Sequence, residues 1–290
     1  MTERTLTTLL TGGSFFEGPR WHERSWWVSD FYRHRVIRVA TDGTESMVVE
    51  VPAQPSGLGW LPDGSLVISS MTDRKVLRLA DGVLSVLADI SAMCGGWTND
   101  LVVDRAGHIY IGNFGFDFPN GASPADAALI RVDPDGSACI AAEGLAFPNG
   151  SVILPDEVTL IVGETMGMRY TAFTIQADGS LTDRRVWAQF PTERSPGRVA
   201  PDGCVLDAEG HLWVADARGG RVVRVAQGGA IVDSVAAPDG AGVYACALGG
   251  DDGRTLLMCC APDSHPAQRS AEHRAVLLTT TVDVPHAGRP

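Results

Sequence analysis

The sequence predicts an all-β fold, a six-bladed β-propeller, from three observations: a recurring strand–turn–strand motif, apolar–polar alternation without a sustained helical period, and closely spaced turns. The motif is clearest in "SGLGWLPDGSLVISS" from Ser56, "NDLVVDRAGHIYIGN" from Asn99 and "DGCVLDAEGHLWVAD" from Asp202. Each leads into a strand with a basic residue among apolar ones: "RKVLRLADG", "ALIRVDPDG" and "GGRVVRVAQGG". Glu17-Gly18 opens a further unit, "PRWHERSWWVSD" then "RHRVIRVATDG", and Asn149-Gly150 opens another, "SVILPDEVTLIVGE" then "RYTAFTIQADG". A degenerate sixth runs from about Tyr244, "ACALGGDDGRTLLMCC", to "AVLLTTTVDV".

Alternation is visible in Leu212-Trp213-Val214-Ala215-Asp216, and β-branched residues are frequent. Units begin at 17, 57, 99, 149 and 202, and a period of about 40–50 residues with four strands per unit is that of a propeller blade. Six units occupy residues 1–290 as one domain. A β-sandwich would also carry short strands and Gly-rich corners, but it has no need of self-similar units. Thr5 to Leu10 precedes the first full unit and is expected to pair with the last blade, closing the ring and removing an open edge. "GFDFPNGASPADAA" (115–128) interrupts a unit at greatest length and is expected to cap one face of the channel.

Composition is that of an ordinary globular chain, with 44% hydrophobic and 20% charged residues. The 33 glycines fit many tight turns. A formal net charge of −12 opposes binding to phosphate backbones, so nucleic acid is excluded as a partner. Met1 to Gly13 carries Glu3 and Arg4 and no long apolar core, so it does not read as a secretory signal. No apolar run reaches the roughly 20 residues of a membrane span. These features point to a cytoplasmic protein with no membrane partner. The six cysteines have no CxxC spacing, and Cys259 and Cys260 are adjacent, which predicts reduced, mostly buried thiols.

In a propeller the first strand of each blade lines the axial channel, so equivalent early residues converge on one place. Around the ring these are Glu17, Ser56/Gly57, Asn99/Asp100, Asn149 and Asp202. Singly, a Glu beside Gly-Pro, an Asn in "PNG" or an Asp in "PDG" reads as a turn residue. Together they form an oxygen cluster suited to one divalent cation, Ca²⁺, Mg²⁺ or Mn²⁺.

The segments "FEGPRW" (16–21), "NDLVVDRAGHIYIGN" (99–113), "GLAFPNGSVILPD" (144–156) and "PDGCVLDAEGHLWVAD" (201–216) resemble the signature blocks of the gluconolactonase, regucalcin (senescence marker protein) and luciferin-regenerating-enzyme family. The resemblance spans nearly the whole chain, in the family's order and spacing. It implies a six-bladed propeller with one divalent cation held by Glu17, Asn149 and Asp202, and with Asn99 binding substrate or water beside it. Ca²⁺ is the foremost candidate, with Mg²⁺, Mn²⁺, Zn²⁺ and Fe²⁺ as alternatives. The sugar-lactonase members usually carry an "RxND" block, whereas Trp97 stands here where that arginine would be.

That departure predicts a pocket for apolar or aromatic contact rather than sugar hydroxyls, with Phe114, Phe116 and Met166 nearby. The expected activity is metal-assisted opening of a lactone or similar cyclic ester in a small-molecule substrate. Asp202 is the candidate general base, Asn99 the orienting group, and Trp97, Phe114 and Met166 the substrate contacts. Enolate chemistry by a lyase, hydratase or isomerase, or ligand binding without catalysis, are the competing readings. The seven histidines show no triad order and no HxxxH or HExxH spacing, which argues against a histidine-dependent mechanism.

Overall fold

A computed structural model of the chain describes residues 4–238 and 240–288. It has six four-stranded antiparallel sheets. Their inner strands are Phe16–His22, Pro55–Trp60, Thr98–Val103, Pro148–Ile153, Pro201–Leu206 and Gly242–Gly249, for blades 1 to 6. These strands contact one another in order around the ring, with the first also touching the sixth. The architecture is the six-bladed propeller that the repeat predicts.

Closure follows the expected pattern. Strand Thr7–Gly13 pairs with Ala275–Thr281, with Thr7 opposite Thr279, so the N-terminus supplies the outer strand of blade 6. Joining the first and last segments in one sheet covers an edge that would otherwise be open. Blade hairpins turn on Asx-type bonds: Asp63 Oδ1 accepts from Ser65 N and Asp135 Oδ1 from Ser137 N, both at 2.9 Å. Gly64 and Gly136 take φ of 85° and 87° in these turns, where a side chain would be strained.

The simple alternation expected for Leu212–Asp216 does not carry over to burial, because every residue in that strand is buried. Leu66–Ser70 and Thr159–Glu164 are buried throughout as well. Second strands are packed on both faces by neighbouring blades, whereas an outer strand such as Leu181–Gln189 is largely exposed along its middle. Core clusters therefore bridge adjacent blades: Trp26, Val28, Leu257 and Leu277 join blades 1 and 6, and Ile161, Trp187 and Val214 join blades 4 and 5. Each large apolar side chain so enclosed contributes about 1.5–3 kcal/mol.

A short α-helix, Pro266–Ala271, connects strands Thr255–Ala261 and Ala275–Thr281 of blade 6. Among the described residues no helix is long and apolar enough to cross a membrane. Cys94, Cys204, Cys246, Cys259 and Cys260 are buried free thiols and Cys139 is an exposed one, as their spacing predicts.

Candidate functional site

Strand register defines the channel ring. Phe16, Pro55, Thr98, Pro148 and Pro201 lie opposite Asp30, Ser70, Asn113, Glu164 and Asp216, the last residues of the second strands. The next residue in each inner strand is Glu17, Ser56, Asn99, Asn149 and Asp202, so these five hold one equivalent position. In blade 6 the register pairs Val243 with Cys260, and the position falls on Tyr244. Sequence reasoning missed Tyr244, although the start of the sixth repeat marks it.

Small residues let the inner strands approach. A Cβ on Gly150 would stand 2.4 Å from Asp202 O and 2.7 Å from Cys204 N, both backbone atoms of the next blade. One on Gly57 would stand 2.4 Å from Leu101 N. Glycine after the ring residue thus brings neighbouring strands close enough for their side chains to meet over the axis.

A second device aims those side chains. Gly18 N donates to Glu17 Oε2 at 3.1 Å and Gly150 N to Asn149 Oδ1 at 2.9 Å. Leu101 N donates to Asp100 Oδ1 at 2.8 Å, and the Gly203 N–H bonds the Asp202 carboxyl. Asn149 Nδ2 reaches Asp202 Oδ1 at 2.5 Å and Thr165 Oγ1 at 3.1 Å, and Thr165 Oγ1 donates to Pro201 O at 2.6 Å. Blades 4 and 5 are thereby tied at the ring.

The three blades bearing Glu17, Asn149 and Asp202 share a further feature. Their second strands end in a buried acid, Asp30, Glu164 or Asp216, paired with an arginine at the start of the third strand: Arg35, Arg169 or Arg221. Each acid also accepts a backbone N–H from the segment entering the inner strand. Ser14 N bonds Asp30 at 2.9 Å, Ala146 N bonds Glu164 at 2.8 Å and Ala200 N bonds Asp216 at 3.1 Å. The equivalent positions of the other blades, Ser70, Asn113 and Cys260, carry no such charge.

Glu17 is buried, and Asp202 lies deep in the molecule with part of its surface open to the channel. No ion pair joins either to a basic side chain among the described residues. Burial therefore pushes the Asp202 carboxyl up to about 8, helped by the charge of Asp100. Burial also raises Glu17 well above the carboxylate range, with Asp202 and Asp100 adding to the effect. Two carboxylates without an ion-pair partner and an amide make an all-oxygen donor set, and that chemistry fits a divalent cation. Among the described residues there is no group of three or more His, Cys, Asp or Glu that could hold a metal.

Asn99 is buried, and its Nδ2 donates to Pro148 O at 3.3 Å, beside Asn149. Trp97 is partly buried 6.3 Å from Phe114, which stacks on Phe147 at 4.4 Å. Phe116 and Phe118 pack edge-on against Phe147 at 6.2 and 5.6 Å, so the 115–128 segment folds onto this aromatic wall. Phe147 was not singled out from sequence. Trp97 and Phe114 also pack on the cluster holding Phe15, Phe31 and Met71, with Tyr32 and Tyr244. Met166 sits next to Thr165, and its N–H bonds Ala146 O at 3.2 Å. The histidines lie elsewhere; His108, for instance, is held by Asp104 at 2.8 Å.

Comparisons with known proteins bear on the family and the fold. Residues 15–261 match the family model described as the SMP-30/gluconolactonase/LRE-like region. Pentonolactonase XacC of Haloferax volcanii is 30% identical over 212 residues, 71% of this chain and 68% of that protein. A solved gluconolactonase of Xanthomonas campestris superimposes with a TM-score of 0.73 at 26% identity, covering 97% of this chain and 90% of the other. In fold, the calcium-binding protein regucalcin of Agrobacterium tumefaciens gives a TM-score of 0.80 at 22% identity, over 100% of this chain and 96% of its own. The chain belongs to the SMP-30/gluconolactonase/LRE-like family.

Proposed function

We propose that this protein is a divalent-cation-dependent hydrolase that opens a lactone or similar cyclic ester, with a less polar or aromatic substrate than gluconolactone. The observation that carries the reading is a channel acid pair, Glu17 and Asp202, without an ion-pair partner among the described residues, together with the aromatic cluster of Trp97 and Phe114. Lactonase relatives support the reaction class.

Glu17, Asn149 and Asp202 would hold the cation, with Ca²⁺ the foremost candidate. When bound, the cation supplies Lewis-acid polarisation of the lactone carbonyl and offsets the charge that grows on its oxygen. Asn99, fixed against Pro148, orients the substrate or the attacking water. Asp202 accepts the proton that the water loses as it adds to the carbonyl carbon. The ring C–O bond then breaks, the alkoxide leaving group takes up a proton, and a hydroxy acid results. Trp97, Phe114 and Met166 hold the apolar part of the substrate and exclude water from it.

The test is product analysis on phenyl-substituted lactones beside gluconolactone. Products heavier by one water, with kcat/KM higher for the aromatic set, support the reading. A product isomeric with its substrate, or one formed by elimination, would replace it with enolate chemistry on the same residues. Binding without turnover would make the chain a ligand-binding propeller.

A further inference from the structure

The channel contains a third carboxylate, Asp100, whose charge acts on both Glu17 and Asp202. Unlike those two it has an arginine in direct contact, whose charge also acts on Glu17. Arg20 Nη2 lies 2.7 Å from Asp100 Oδ1 and 2.9 Å from Leu101 O, and Arg20 Nη1 donates to Pro19 O at 3.0 Å. The side chains are only 11% and 7% exposed, so solvent screens the pair weakly.

Arg20 joins two blades that are not neighbours in the ring. It starts in blade 1 and ends in blade 3, passing across blade 2. Glycines 57 and 59 let blade 3 come close against blade 2: a Cβ on Gly57 would stand 2.6 Å from Asp100 Oδ1 and one on Gly59 2.7 Å from Val103 Cγ2. Arg20 also lines a cavity of about 520 Å³ at the other end of the channel, with Leu58, Trp60, Val103, Ile153 and Leu206. The pair therefore lies between the oxygen cluster and this second opening.

We propose that the Arg20–Asp100 pair sets the charge of the cation site: with the third carboxylate cancelled, an ion that displaces the protons of Glu17 and Asp202 meets two negative charges, which match a divalent ion. This rests on the cation reading above. Arg20 is a positioning residue here and touches neither substrate nor cation. At the short separations inside a channel of low effective dielectric, one added or removed charge changes ion affinity by an order of magnitude or more.

The experiment is calorimetric titration of the chelator-stripped full chain with Ca²⁺ and, separately, Tb³⁺, for wild type, Arg20→Met, Asp100→Asn and the double variant. Arg20→Met exposes a third negative charge and is expected to raise the Tb³⁺-to-Ca²⁺ affinity ratio about tenfold. Asp100→Asn leaves the Arg20 charge uncompensated and is expected to weaken Ca²⁺ binding about tenfold. The double variant is expected to return both values to within about threefold of wild type, a coupling that a purely structural staple does not produce. Should Arg20→Met fail to fold, Asp100→Asn and the double variant still decide. Wild type that binds Ca²⁺ while neither the affinity nor the ratio shifts in the variants would overturn the charge assignment alone. Wild type that binds neither ion would overturn the cation reading and this proposal with it.

Discussion

Asn149 Nδ2 lies 2.5 Å from Asp202 Oδ1, so an amide from blade 4 and a carboxylate from blade 5 meet directly on the channel. Asp202 is also the proposed proton acceptor. Replacing it with alanine is expected to lower kcat by at least about 100-fold, the lower range for a general base. Far-UV circular dichroism should stay unchanged. Near-normal turnover in a folded Asp202→Ala protein would remove Asp202 from the mechanism.

Stability should report the buried charges through pH. Burial raises the Asp202 carboxyl from 3.8 to about 8, so between these values the folded state holds a proton that the unfolded chain has released. Stability therefore falls as pH rises across this window, being highest below the unfolded value. In cation-free protein the melting temperature should decline from pH 5 to pH 8 more steeply than in Asp202→Asn, which carries no charge there. Parallel profiles for the two proteins would contradict the assignment.

Glu164 ties the approach to Asn149. Its carboxylate accepts from Ala146 N at 2.8 Å, Arg169 Nη2 at 2.7 Å and Thr171 Oγ1 at 2.5 Å. Glutamine keeps the shape but removes the charge and turns one acceptor into a donor. Chemical denaturation of Glu164→Gln should show a loss of about 1–3 kcal/mol. A variant as stable as wild type would mean that the segment entering blade 4 is held by other contacts.

Gly150 sets the distance between blades 4 and 5. Alanine would place its Cβ 2.4 Å from Asp202 O, a backbone atom that cannot swing aside. Gly150→Ala is expected to cost about 1–3 kcal/mol as an overpacked core position. Because the strain falls on Asp202, it should weaken cation binding as well. Calorimetry that finds wild-type affinity in this variant would separate strand spacing from the site.

Trp97 is the proposed selector against sugar lactones. Trp97→Arg should reduce kcat/KM for a phenyl-substituted lactone by about tenfold, the effect of losing apolar contact worth 1–2 kcal/mol. Its activity on gluconolactone should rise. Unchanged preference would show that the wall formed by Phe114 and Phe147 selects without Trp97.

The ring was legible because a propeller repeats: once "EGP", "PNG" and "PDG" were equated, Glu17, Asn149 and Asp202 had to share one register position. Tyr244 shares that register but was passed over, because the sixth unit puts a tyrosine and then Ala245 where four of the other five have a polar residue and glycine and the third has Asn99-Asp100. The Arg20–Asp100 pair could not be read, since nothing local links residues in blades 1 and 3 past the intervening blade 2. The acid–arginine ends "SDFYRHR", "GETMGMR" and "ADARGGR" are visible in the sequence. Their role in holding the entering strands emerges only from the backbone N–H groups that they accept. No motif marked Phe147, whose backbone takes a φ of 64° and whose ring stacks on Phe114.

The central claim is that lactone opening depends on a cation held by Glu17, Asn149 and Asp202. It is tested most directly by the ring-opening rate of a phenyl-substituted lactone in chelator-stripped protein, before and after Ca²⁺ is restored. The account predicts loss of nearly all turnover on stripping and recovery on adding one equivalent of Ca²⁺. A stripped protein, free of divalent metal by elemental analysis, that still opens the lactone at the original rate would contradict it.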